Sequence, residues 1–214
     1  AGTGTGGDAE GDEFNEIEGV IGSVEDDSLI GSDGSDTLLG EGGDDVLAGG
    51  EGGDILAGGE GLDTADYSGS TAGVTVDLGA GTGAGGDATG DTLSGIEILI
   101  GSDLIDSLVG SNGSDTIYGG GDNDTIIAGG AGADSLVGGD GDDSLIGGTG
   151  NDTIAGTAGA DILAGGAGAD SLDGGEGDDL ADYSGSSAGV TVDLSTGEGS
   201  GGDADGDTLT DIEG

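Results

Sequence analysis

Along most of this chain a large aliphatic residue returns every nine positions, two places after an aspartate and surrounded by glycines. Read as G-G-x-G-x-D-x-U-x, with U the aliphatic, the frame opens at Gly22 and runs unbroken to Asp66. It resumes at Gly101, absorbs one extra residue at Ala128 and closes at Asp182. The first run holds five units and the second nine, and the clearest copies are GGAGADSLV, GGDGDDSLI and GGTGNDTIA, from 129 to 155. Such a unit predicts a turn of about six residues and a strand of about three, because glycine at the first, second and fourth places allows positive φ and close backbone approach. Along the strand the seventh and ninth side chains share one face and the eighth takes the other. Leu29, Leu38, Leu47, Leu56, Leu108, Ile117, Ile126, Leu136, Leu145, Ile154, Leu163 and Leu172 are thus expected to form an inner row. Only Ala65 and Ala181, each in the last unit of a run, depart from Leu or Ile at that place.

Two units make one coil with a strand on either side, so stacked coils predict two parallel sheets over a thin aliphatic core, an all-β parallel solenoid. Tyr67 to Ile100 separates the runs, Tyr183 to Gly214 is closely similar, and residues 1–21 contain the matching tail. The organisation is therefore a connector tail (1–21), a five-unit run (22–66), a connector (67–100), a nine-unit run (101–182) and a connector (183–214), all within one elongated solenoid. Val74, Val76 and Leu78 alternate with Thr75 and Asp77, and Val190, Val192 and Leu194 repeat the pattern. Period-two alternation is that of a half-buried strand. The connectors are expected to be wider coils, with their glycine stretches, 79–86 and 197–202, as protruding loops. Because the chain opens inside such a block and lacks a signal-like segment, it reads as a piece of a longer protein.

Composition changes the picture in one respect above all. The 214 residues include 47 acidic ones and no Lys, Arg or His, for a net charge of −47. Internal salt bridges are excluded, and compaction brings carboxylates together unless cations from solution neutralise them. Nucleic acid is excluded as a partner because nothing here neutralises phosphates. Insertion into a membrane is not expected, since no apolar run approaches the roughly 18 residues required. With 59 glycines and four aromatics the composition alone would suggest disorder. The strict periodicity argues against it.

The sixth place is Asp in all fourteen units: Asp27, Asp36, Asp45, Asp54, Asp63, Asp106, Asp115, Asp124, Asp134, Asp143, Asp152, Asp161, Asp170 and Asp179. Stacked turns bring these carboxylates close together, where they cannot all stay ionised without a cation. Without Cys or His, zinc and copper lack their usual ligands. Oxygen donors in a flexible glycine-rich loop favour calcium over magnesium, which demands a stricter octahedron. Ions between same-side turns would number about three in the first run and about seven in the second, ten or more in all. Asp8, Asp12, Asp87, Asp91, Asp203 and Asp207, at matching places in the three connectors, read either as additional ligands or as solvated loop acids.

The fourteen units, with the connector phrase GGDATGDTLSGIE, resemble the glycine-aspartate nonapeptides of the repeats-in-toxin family. That resemblance implies a parallel β-roll with calcium between adjacent turns, a chain disordered without calcium, and one-step export from bacteria to a calcium-rich exterior. By analogy each ion takes sixth-place Asp from stacked units and carbonyls of the turn. Glu25, Leu104 and Asp122 replace glycine at the fourth place, and those turns are expected to bind weakly or distort.

The ninth place reads Ile30, Leu39, Val109, Tyr118, Ile127, Val137 and Ile146 among others, which predicts apolar stripes on the outside of the rod. Self-association of rods and ordinary β-propensity both account for such stripes. Catalysis within the chain is not expected, because acid-base work would fall to carboxylates already committed to repeat positions. The leading expectation is a calcium-hardened stalk or fibre segment of a large secreted or surface-attached bacterial protein. A carrier module of an extracellular enzyme or toxin is the alternative, and an adhesive, ice-binding or carbohydrate-binding face a lesser one.

Overall fold

The computed structural model describes residues 2–3, 13–14 and 17–214. Gly2–Thr3 and Glu13–Phe14 pair antiparallel. Asp8 and Asp12, two of the candidate connector ligands, lie outside the described residues.

The remainder is a parallel β-solenoid, a β-roll, of two eleven-stranded sheets whose strands come alternately from successive units. Within the runs, strands two units apart pair in parallel: Ser28 faces Val46, Thr153 faces Ser171 and Ser144 faces Ile162. One coil is therefore two nonapeptides. Many strands also continue through the second and third places of the following unit, as in Thr37–Gly42 and Ser135–Asp140.

The eighth-place residues fill the space between the sheets. From Leu38 to Leu172 the twelve largest fully buried side chains are eleven eighth-place Leu and Ile residues together with Leu99 of the connector. Burying each such side chain contributes about 1.5–3 kcal/mol, which is the main apolar term holding the coils together. The seventh and ninth places face outward, and Ile30 is 75% exposed, Ile55 48% and Tyr118 42%.

The extra residue in the second run lies one place later than the sequence frame put it. Ala128 is buried and donates its N–H to the Ile146 carbonyl, so it continues strand Thr125–Ile127 as the first residue of its unit. Gly129, with φ of 76°, bulges instead, because glycine alone takes that conformation without steric cost. Pairing across the bulge shifts from 18 to 19 residues, with Thr116 opposite Ser135.

The connector glycine stretches, expected as protruding loops, each contain a strand, Thr82–Ala84 within 79–86 and Glu198–Ser200 within 197–202, beside short turns. Thr75–Asp77 and Thr82–Ala84 form an antiparallel pair, and Thr92–Ser94 runs antiparallel to the latter before pairing in parallel with Ile55–Glu60. Glycine at 83 permits this because a β-carbon there would lie 2.6 Å from the Ala88 carbonyl oxygen. The last connector repeats the arrangement with Thr191–Asp193, Glu198–Ser200 and Thr208–Thr210. A short 3₁₀ turn, Gly86–Ala88 or Gly202–Ala204, buries its alanine beneath the strands. At the fourth place Asp122 keeps the left-handed conformation of the glycines it replaces, with φ of 60°.

Candidate metal centre

Each sixth-place Asp sits where its turn enters the strand, and the structure gathers these residues into two ladders, one along each edge of the roll. In the repeating geometry Oδ1 accepts the backbone N–H of the preceding rung on the same side. Asp45 accepts from Asp27 at 2.7 Å, Asp54 from Asp36 at 2.8 Å, and Asp161 from Asp143 at 2.8 Å. The bond fixes the carboxylate against the sheet end and stacks successive turns in register. All but Asp27 of the fourteen predicted rungs are buried.

The other oxygen, Oδ2, points into the turn. In ten rungs it is buried without any hydrogen-bond partner: Asp45, Asp54, Asp63, Asp124, Asp134, Asp143, Asp152, Asp161, Asp170 and Asp179. A buried carboxylate oxygen left this way carries an uncompensated desolvation cost. Beside it stands the first-place carbonyl of the next coil on that side. A β-carbon on Gly138 would touch Asp143 Oδ2 and lie 2.8 Å from the Gly156 carbonyl oxygen; one on Gly40 would touch Asp45 Oδ2 and lie 2.7 Å from that of Gly58. These hard oxygens converge where any side chain larger than glycine would intrude.

Burial raises seven of these ten acids, as expected for carboxylates without a counter-ion. Desolvation is the first cause and neighbouring carboxylates a lesser one. Asp124 is pushed up to about 7, and Asp143 and Asp170 to about 6. Asp54, Asp63, Asp152 and Asp161 are raised for the same leading reason. The crowding of like charges expected from sequence thus ranks second to removal from water. Among the described residues no three acidic side chains converge on one point. A cation here would draw on Asp oxygens and backbone carbonyls together, a donor set that suits calcium.

The connectors extend both ladders. Asp91 and Asp207 are buried rungs: Oδ1 of Asp91 accepts the N–H of Asp54 at 2.8 Å, and that of Asp207 accepts from Asp170 at 2.9 Å. Their Oδ2 atoms accept tyrosine hydroxyls, from Tyr67 at 2.9 Å and Tyr183 at 2.8 Å. Burial and the facing carboxylate push the Tyr67 hydroxyl above its usual range, so it stays protonated as the donor. Asp87 and Asp203 stand off the ladders at the 3₁₀ turns, where their N–H groups bond Ser70 and Ser186. On the opposite edge Glu97 and Glu213 accept the N–H groups of Asp63 and Asp179 at 3.1 and 2.9 Å. Sequence reading missed both glutamates; their identical distance of 34 residues from the last aspartate of that edge was the available signal.

Parallel coils joined by glycine-rich turns, with carboxylate and carbonyl oxygens aimed into each turn, describe a calcium-binding β-roll module. The family model for the RTX calcium-binding nonapeptide repeat matches residues 21–56, 30–65, 100–130, 126–154 and 146–181, together more than half of the chain. The chain belongs to this family of calcium-binding repeats. No curated protein matches it.

Proposed function

We propose that the ladder aspartates hold the calcium and that the protein is a rod whose coils assemble on the ions they bind. The observation that supports this most is the set of ten buried, unpartnered Oδ2 atoms in a chain with no cationic side chain. Metal binding would then supply much of the folding free energy, and the chain would remain unfolded where calcium is scarce. In that reading it serves as a stalk, spacer or fibre segment of a large secreted or surface-attached bacterial protein, folding after export. The alternation of connectors with whole numbers of repeat units suits an element whose length varies. Among the described residues no helix is long and apolar enough to cross a membrane.

The test is a calcium titration followed by far-ultraviolet circular dichroism, with magnesium as control. β-structure is expected to appear cooperatively with calcium and not with magnesium at equal concentration. A fully folded chain in excess chelator at pH 8 would refute the proposal.

A further inference from the structure

The fourteen rungs are not equivalent, and the residue at the second place of the unit separates them. In Asp36, Asp106 and Asp115 Oδ2 accepts the backbone N–H of the second-place serine: Ser32 at 2.6 Å, Ser102 at 2.6 Å and Ser111 at 2.7 Å. Each serine hydroxyl donates to the same carboxylate, at 2.9, 3.1 and 3.1 Å to Oδ2. Asp27 Oδ2 likewise accepts the N–H of Ser23. These four are the only units with serine at the second place, and none of the four is among the rungs with a bare Oδ2.

Backbone conformation divides along the same line. In nine of the ten bare units the second residue has a positive φ, from 77° at Glu41 to 129° at Gly59; the exception is the unit that Ala128 opens, where the bulged Gly129 takes the positive φ instead. The second-place serines are absent from the positive-φ residues, as L side chains prefer. Positive φ goes with an Oδ2 that lacks the second-place N–H, whereas the serine conformation brings the N–H onto it in all four units and the hydroxyl in three, the Ser23 hydroxyl donating to the Glu25 carbonyl instead. The four serine units are the first two of each run, and the tyrosine-closed rungs Asp91 and Asp207 end one ladder of each run.

We infer that rungs closed by the chain's own donors bind no cation, so that each run begins on a serine-closed coil, meets a tyrosine-closed rung in its connector, and binds calcium only between them. The second-place residue then decides which turns are metal sites. A cation approaching a closed rung would have to displace between one and three hydrogen bonds already made to the carboxylate, whereas at a bare rung it meets an Oδ2 with no partner. This rests on the reading of the bare rungs as calcium ligands.

Bound calcium per chain, measured by atomic absorption after equilibration at fixed free calcium, tests it on the full chain. Asp143→Asn is expected to lose about one ion; Asp36→Asn and Asp115→Asn, whose side-chain oxygen still meets the serine N–H, keep the parent count. Equal losses at bare and closed rungs would overturn the inference while leaving the ladder reading intact. No loss at any of the three would instead sink the ladder reading itself. The converse variants do not depend on tolerating a lost site. Ser111→Gly and Tyr67→Phe each remove a closing donor and are expected to gain about one ion per chain, and unchanged counts in both would overturn the inference.

Discussion

The nonapeptide runs and the connector coils solve one problem in different ways. Both place a buried carboxylate at a strand head, as at Asp54 in a run and Asp91 in a connector, and use Oδ1 to hold the preceding rung by its N–H. In the interior of the runs Oδ2 is left bare, as in Asp143 and Asp152. In the connectors it is met by a tyrosine hydroxyl. A run is therefore regular and extensible and leaves its Oδ2 atoms open to an external cation, whereas a connector spends an aromatic residue and an antiparallel pair to complete its rung internally. The difference marks the ladder as a structural framework first, and under the proposed reading metal dependence becomes a property of individual rungs.

The largest effect that would break this comparison concerns pH in the absence of calcium. Carboxylates raised to about 6 and 7 in the fold, against roughly 3.9 in an unfolded chain, favour the folded state when protonated. Their contribution is fully present below about pH 4 and is lost as pH rises through about 6 to 7. In chelator, β-structure should thus increase on acidification from pH 8 to 4, with the gain in amide protection falling in the second run, where Asp124, Asp143 and Asp170 lie. With calcium present the apparent affinity should fall over the same interval as protons compete for Oδ2. Circular dichroism that is flat from pH 8 to 4 in chelator would contradict the desolvation argument.

Core substitutions give the next effect. Leu145 lies in the middle of the second run and is wholly buried between the two sheets, whereas Leu209 in the last connector is 7% exposed. Leu145→Ala is expected to cost about 2–5 kcal/mol in saturating calcium and Leu209→Ala to sit at or below the lower end. Urea unfolding midpoints order the two. A larger loss at Leu209 would mean that the connector, and not the run, contains the tighter packing.

A glycine pair sharpens the contrast at the turns. Gly138→Ala would drive its β-carbon against Asp143 Oδ2 and toward the Gly156 carbonyl, with a cost of about 1–3 kcal/mol and a higher calcium midpoint. Gly185→Ala meets nothing within 4 Å in its connector turn. It should change stability by no more than about 0.5 kcal/mol and leave the calcium midpoint in place. Equal shifts in the two midpoints would show that first-place glycine is there for flexibility and not for the oxygens it admits.

What the sequence made legible follows from what repeats. The 18-residue coil, the inner row from Leu38 to Leu172 and the sixth-place aspartates all depend on spacing within and between identical units, and the pairing of Thr153 with Ser171 realises that period directly. Features that occur once per connector were harder to read. Tyr67 reaches Asp91 across 24 residues and an intervening antiparallel pair, so no local pattern announces the bond. The glycine stretches looked like loops because glycine disfavours strands, yet close packing of Gly83 against the Ala88 carbonyl requires it. The serine at the second place was visible throughout, but its meaning depends on the sign of φ, which only the folded turn discloses.

The smallest expected effect tests that dependence on φ. Glu41 occupies the second place of a bare unit at φ of 77°, a conformation that costs a residue with a β-carbon about 1–2 kcal/mol. Glycine relieves that strain but gives up about 0.5–1 kcal/mol of chain entropy, and the substitution also removes one charge from a crowded anionic rod. Glu41→Gly should therefore stabilise the calcium-loaded fold by about 0.5–1 kcal/mol without altering the number of ions bound, because Asp45 Oδ2 is bare with either residue in place. A serine substituted there faces the opposite choice. If Glu41→Ser rotates to negative φ and donates to Asp45, it should lose an ion while remaining folded. Were it to retain the parent count, the second-place side chain would not determine the conformation of its turn, and the contrast between bare and closed rungs would have to originate in the coils on either side.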